Sequence, residues 1–271
     1  MNNNSQLNRR NDLDWIRVLV TFFVILYHCS MFFNPFPWHV KNNVLNSTYI
    51  YTYTLLVSNW MMPIFFAVSG ISTFYALQKR SAFSFLKERL LRLGLPLLFG
   101  VFILTPPQVY MERVNHQQFT GALWQFLPHY FDGFYLDIGG EGNFSFFGLH
   151  LWFLFVLLIF SFMLVPLFVR KRGDNPQKPF DLAKFMVLLL PLLIIGTILN
   201  GIANLGGWGL FFYLAIFLYG YFAFSNLNFI MFVRKTGVWT GGVSIVSTVV
   251  FMGWSLGFGI PQNGTLPSLL F

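Results

Sequence analysis

Charge is scarce in this chain. Only 10% of its 271 residues are Asp, Glu, Lys or Arg, against about 25% in an ordinary soluble domain, so a soluble globular fold is excluded. Acid is scarcer still, with 9 Asp and Glu against 17 Lys and Arg. Cysteine is reduced to Cys29, which rules out an internal disulfide and leaves that residue as a small buried filler. The first apolar run lacks a small-x-small cleavage site and is preceded by Asp12 and Asp14, so it reads as a retained anchor rather than a signal peptide. No internal repeat is evident, and with it goes the pair of repeat-related broken helices expected of many transporters.

What the chain does have is apolar length. Hydrophobic residues make up 56% and aromatic residues 20%, with 36 Phe. Several stretches approach the ~20 residues needed to cross a bilayer. The pattern predicts an all-α, polytopic transmembrane helical bundle with about seven spans, near 13–33, 52–77, 90–108, 149–169, 182–200, 208–225 and 238–256. On that layout the cations divide fifteen to two, with only Lys41 and Arg113 on the sparse side. By the positive-inside rule the N-terminus is cytoplasmic and the protein is a multi-pass plasma-membrane protein. The net charge of +8 is therefore topology, and no nucleic-acid partner is expected.

Within the first span, Arg17 and His28 are eleven residues apart. Eleven helical steps of about 100° come to roughly three turns plus 20°, and rise about 16 Å. A fixed cation near one surface and a titratable imidazole well inside then share one face. Such groups are costly in hydrocarbon and usually face a partner, a cavity or a substrate path. An imidazole with an ordinary pKa near 6.5 suits general-base work, though a hydrogen bond to a neighbouring helix is the bland alternative. Asp14 either poses the Arg17 guanidinium or simply pairs with it.

Other features carry similar paired readings. Pro63 with Ser69-Gly70 in the second span marks either close helix packing or a narrow face beside a substrate passage. Arg89 and Arg92 stand at i and i+3, where two guanidiniums either clamp phosphate or serve as positive-inside charge that snorkels. His150, in His150-Leu151-Trp152-Phe153, is an interfacial anchor or a site residue. Two segments lie outside the spans: Asn34 to about Tyr51, with Trp38 and His39, and roughly 109–148, which holds Glu112, His116, His129, Asp132, Asp137 and Glu141 among aromatic rings. The second reads as a long loop without evident structure. Its composition fits sugar binding, or an aromatic belt with a solvated loop.

Arg17-x10-His28, Phe66-x-x-Ser69-Gly70, Arg89-x-x-Arg92 and His150-Leu-Trp-Phe, in that order, resemble the integral-membrane acyltransferase 3 family. Pro37-Trp38-His39-Val40-Lys41-Asn42 and Pro106-Pro107-Gln108-Val109-Tyr110 look closest to its glucan biosynthesis protein C-like branch. The resemblance covers residues 1–271 as a single domain. It implies transfer of an acyl group, acetyl or succinyl, from cytosolic acyl-CoA to a hydroxyl of a cell-surface or periplasmic glycan. Acyl-CoA is then a donor substrate, and no permanently bound cofactor or metal is expected. His28 and Arg17 are the expected catalytic pair and Arg89 with Arg92 the CoA-binding pair; His39, His150 and Ser69 are candidates for substrate contact. The family usually has about ten spans, so a chain of seven reads as incomplete at its C-terminus. The rival reading is a secondary transporter or exporter without covalent chemistry, and a structural or regulatory fragment is a third.

Overall fold

A computed structural model describes residues 11–42, 48–171, 180–205 and 207–260. Arg9, Arg10, Arg172 and Lys178, four of the cations in the charge-asymmetry argument, and the closing Leu269-Leu270-Phe271 lie outside the described residues.

Among the described residues the architecture is a helical bundle of seven principal helices: α1 (Asn11–Ser30), α2 (Thr48–Lys79), α3 (Ala82–Asn115), α4 (Leu149–Arg170), α5 (Leu182–Leu199), α6 (Leu210–Phe224) and α7 (Leu227–Phe258). Each predicted span corresponds to one of them. Six are long and apolar enough to cross a membrane; α6 falls short of that length. At about 1.5 Å per residue it rises roughly 22 Å, less than the about 30 Å of a hydrocarbon core. A two-stranded hairpin, β1 (Asn204–Leu205) against β2 (Trp208–Gly209), makes the link into α6. Trp208 anchors it by stacking on Phe212 at 4.1 Å and donating from Nε1 to the Asn59 carbonyl at 2.9 Å.

The core lies around α2. Phe66, fully buried, stacks on Tyr213 of α6 at 4.6 Å and meets Phe153 and Phe160 of α4 at 4.9 and 5.7 Å. Phe168 of α4 stacks on Tyr221 of α6 at 3.8 Å. In contrast, α5 has a hydropathy of 2.5 with none of its most apolar window buried, and α7 only 11%. Apolar helices that bury so little of themselves in protein present their side chains to lipid.

Ser69-Gly70 falls where α2 crosses α6. A Cβ on Gly70 would stand 2.9 Å from both the Gly220 Cα and the Tyr221 nitrogen, and one on Gly220 would stand 3.0 Å from the Gly70 Cα. The two glycines let the backbones touch, the usual device for helix association where no hydrophobic effect drives it. Ser69 itself is buried.

Two expectations fail. Cys29 is not a buried filler: it lies on the exposed face of α1 with Phe22, Ile25 and Leu26. The 109–148 stretch is not a loop without structure. α3 runs on to Asn115, helical turns follow at Leu123–Phe126 and Leu127–Phe131, and Phe134 and Phe144 form a bridge. Val109, Phe126, Tyr130, Tyr135 and Leu149 close a second apolar core there. The aromatic residues that looked like an interfacial belt have enough mutual burial to fold the segment as a cap. Tyr130 ties the cap to the middle of α3 by donating to the Val101 carbonyl, in the π turn Gly100–Leu104, at 2.8 Å, and its burial pushes the phenol up to about 12.

Gly70→Val is expected to force α2 and α6 apart. Overpacking costs of about 1–3 kcal/mol or more apply at such a site. A drop of several degrees in the unfolding temperature in detergent, absent for Gly237→Val on the open surface of α7, is the result that checks it.

Candidate active site

Two clusters of polar side chains lie at the two ends of α1. The inward face of that helix carries Leu13, Asp14, Arg17, Val20, Val24, Tyr27 and His28, while Trp15, Val18, Leu19, Phe22 and Ile25 are exposed. Arg17 and His28 therefore do share the face turned to protein, one near each end.

At the Arg17 end, the guanidinium bonds Asp14 at 3.0 Å through Nη1 and reaches the Ser72 hydroxyl through Nη2. Arg89 donates from Nη2 to the Thr73 hydroxyl at 2.9 Å, and Thr73 in turn bonds the Ser69 carbonyl at 2.8 Å. Two guanidiniums from α1 and α3 are thus docked on adjacent residues of α2. Arg92 behaves differently: it pairs with Glu88 at 2.8 Å and its side chain is 75% exposed. The cause is a π turn at Leu90–Gly94. A π turn takes more residues per circuit than an α turn, so three residues after Arg89 the chain has not returned to the same face. Arg89 still feels the charges of both Arg17 and Arg92, and the three form one basic zone.

At the other end, three histidines from separate parts of the chain meet. The rings of His28 and His150 are 4.7 Å apart, and those of His39 and His150 are 5.0 Å apart. Trp38 stacks on His150 at 5.2 Å and tilts over His28 at 5.7 Å. Local structure sets each ring. His28 stands one turn past Val24 and places Nδ1 2.7 Å from that carbonyl; a carbonyl only accepts, so Nδ1 carries the proton and Nε2 is left as an acceptor. The segment bearing Trp38 and His39 is tied back by Lys41, whose Nζ donates to the carbonyls of Met31 and Asn34 at 2.7 and 2.9 Å. Partial burial pulls the Lys41 ammonium below its ordinary pKa. His150 follows two residues in the left-handed region, Gly148 at φ 73° and Leu149 at φ 48°. A bulky Leu there is strained. It is held by burial in the cap core and by its N–H on the buried Ser145 hydroxyl at 3.0 Å.

Sequence reasoning placed Glu112 in a long loop outside the spans, either sugar-binding or solvated. It is instead fully buried on α3 and bonds His39 Nδ1 through Oε2. Tyr135 donates to the same oxygen at 2.9 Å, and the Gly139 N–H donates to Oε1 at 2.8 Å. Arg113 Nη1 lies 3.5 Å from Oε1. Burial, followed by the charge of Glu112, drives the Tyr135 phenol well above its ordinary range, so Tyr135 remains an O–H donor at any physiological pH. With Nδ1 committed to the carboxylate, His39 too has Nε2 free. A signal for Glu112 was available in hindsight: three-to-four spacing carries the apolar face of α3 through Pro106 and Val109 to residue 112. Among the described residues no group of three or more His, Cys, Asp and Glu is placed to hold a metal ion.

The acyltransferase domain model matches residues 10–271, a span that takes in both clusters. The chain belongs to that acyltransferase family. It is 27% identical over 230 residues to glucans biosynthesis protein C of Escherichia coli K12, with 78% of this chain and 57% of the relative covered. The same proteins of strains SMS-3-5 and O1:K1 match to the same extent. The chain thus spans little more than half the length of these curated relatives. No solved structure matches.

Glu112→Ala leaves the His39 Nδ1–H, the Tyr135 hydroxyl and the Gly139 N–H without their acceptor. Removing one partner of a buried pair costs about 3–5 kcal/mol, whereas Glu112→Gln, which keeps an acceptor oxygen, costs about 1–3. Faster amide hydrogen exchange across 116–150, larger for Ala than for Gln, is the expected outcome; unchanged exchange in both variants contradicts it.

Proposed function

We propose that this protein is a membrane O-acyltransferase that moves an acetyl or succinyl group from cytosolic acyl-CoA to a hydroxyl of a cell-surface or periplasmic glycan. Family membership and the multi-pass helical fold support the acyl-transfer class. The observation that carries the reading is the division of labour along α1: a basic zone at one end and a cluster of imidazoles with bare Nε2 atoms at the other. The relatives' name, glucans biosynthesis protein C, points to a glucan as the acceptor.

In this reading, Arg17 and Arg89 hold the phosphates of coenzyme A. Each is already oriented by a hydroxyl of α2, Ser72 and Thr73, and guanidiniums so posed bind phosphate in fork geometry. Arg92 lies at the exposed rim and extends the zone. The pantetheine arm then runs along the face of α1 for the roughly 16 Å that eleven helical residues rise. At its end the thioester meets His28. Nε2 of His28 takes the proton of the acceptor hydroxyl; the oxygen attacks the thioester carbonyl carbon, and a C–O bond forms. The C–S bond breaks, and the departing thiolate recovers the proton from the imidazolium. His39 and His150 flank that exchange, with His39 held by Glu112. Ser69, buried one turn from Thr73, supports the passage between the two zones.

Transfer of radiolabel from acetyl-CoA and succinyl-CoA to envelope glycans, in vesicles carrying the full chain, tests the assignment. His28→Ala is expected to lower transfer by about 10²–10⁴-fold, the usual worth of a positioned base. Arg89→Ala is expected to raise the KM for acyl-CoA with a smaller change in kcat, because it binds ground state and transition state alike. Wild-type transfer by correctly inserted His28→Ala protein overturns the base assignment. Vesicles in which neither donor labels any glycan overturn the transfer itself.

A further inference from the structure

The cap holds a cleft of about 450 Å³ whose walls include Arg113, Phe119, Phe126, His129, Asp132 and Glu141. That volume lies inside the roughly 300–1,000 Å³ range of small-ligand sites. We propose that this cleft is a saccharide subsite that grips a pyranose unit of the acceptor while a hydroxyl elsewhere on the glycan reaches His28; the proposal rests on the glycan-acceptor reading above.

The lining decides the chemical class. Phe119 is partly exposed and packs edge-on to Phe126 at 5.3 Å and against His129 at 6.1 Å, so it offers the cleft an apolar ring for the C–H face of a sugar. Around it stand acceptors: the exposed carboxylates of Glu141 and Asp132, the latter 2.8 Å from His129 Nδ1. Carboxylates accept from hydroxyls, which a sugar presents in pairs. The cation in the wall is committed elsewhere. Arg113 gives Nε to Asn143 at 2.8 Å, Nη1 to Gln118 at 2.7 Å and Nη2 to the Gly142 carbonyl at 2.7 Å, and it sits beside Glu112. With its guanidinium so engaged, the cleft has little to attract a phosphate or carboxylate ligand. A neutral, hydroxyl-rich ligand with an apolar face fits what remains.

The cleft also connects to the imidazole cluster. Gln118, which accepts from Arg113, donates from Nε2 to the Gly139 carbonyl at 2.7 Å, and the Gly139 N–H holds Glu112 Oε1 at 2.8 Å. Glu112 holds His39. One wall of the cleft is therefore the back of the network that orients the site.

The probes are maltopentaose and cellopentaose, titrated against the full chain in nanodiscs by calorimetry and by saturation-transfer NMR. Saturable binding of at least one is expected. Phe119→Ala is expected to weaken it at least tenfold, and Glu141→Gln about fivefold. Glu141 is exposed at the cap surface, so its variant keeps the test valid if Phe119→Ala does not fold. Acyl-CoA affinity is expected to be unchanged in both. No saturable binding, or binding that neither variant weakens, overturns the proposal; so does binding of a chitosan pentamer with neither glucose pentamer bound, which would mark a cation site. The two readings fail separately. Transfer that depends on His28 with an unchanged acceptor KM in Glu141→Gln and folded Phe119→Ala removes the subsite and leaves the transferase. Pentaose binding lost in the variants, with no transfer in wild type, removes the transferase and leaves the subsite.

Discussion

A carboxylate with no exposure to water must be met on every side, and Glu112 is met from four directions. His39 comes from the segment after α1, Tyr135 and Gly139 from the cap, and Arg113 from the adjoining position on α3. The desolvation of such a charge costs several kcal/mol, and only close, hydrogen-bonded partners offset it. The constraint therefore works as a positional one. The loop bearing Trp38 and His39 cannot move without stripping Glu112 of a donor, and the cap cannot lift without removing two more. Burial of this one carboxylate sets where His39 stands against its neighbours.

The same logic explains why three histidines can crowd together. Rings 4.7 to 5.0 Å apart cannot all be protonated without strong mutual repulsion in a low-dielectric setting. Trp38 covers two of the rings and limits the water that would screen them. His28 donates to a carbonyl and His39 to a carboxylate, so their spare nitrogens are acceptors. A cluster of imidazoles with one carboxylate partner able to stabilise a transient positive charge is suited to passing a proton rather than storing one. The membrane makes this arrangement worthwhile, because each dipole acts over longer range where water is scarce.

Much of the fold was legible from the sequence because the bilayer imposes a strong rule: apolar runs near twenty residues must be helices. All seven runs are helices, and the Arg17–His28 spacing did predict a shared face. Their ends were less legible. α3 overran its predicted limits at both ends, since polar residues such as Lys87 and Glu112 do not interrupt a helix whose partners lie in other segments. The face shared by Arg89 and Arg92 was argued from α geometry, which the π turn between them breaks; nothing in Leu90-Leu91 announces such a turn. The convergence of His28, His39 and His150 was equally hidden, because it depends on how a cap with its own apolar core folds over the end of the bundle. Single-residue periodicity carries no information about that closure.

The two ends of α1 place opposite demands on one helix. At the Arg17 end the charges are permanent and rest on hydroxyls of α2, an arrangement that tolerates water. At the His28 end imidazole and indole rings gather beside the buried Glu112 carboxylate, roofed by the cap. The donor of the proposed transfer, with anionic phosphates at one extremity and a thioester at the other, follows that difference from end to end. A small ion or metabolite passing through would need the same passage to be hospitable throughout. The strained Leu149 beside His150 adds to the contrast: backbone strain persists only where surrounding structure over-determines it, and here it fixes the start of the segment that carries the His150 ring. The proposed transfer gives both that strain and the buried Glu112 network a role, in holding a hydroxyl, a base and a carbonyl carbon in line.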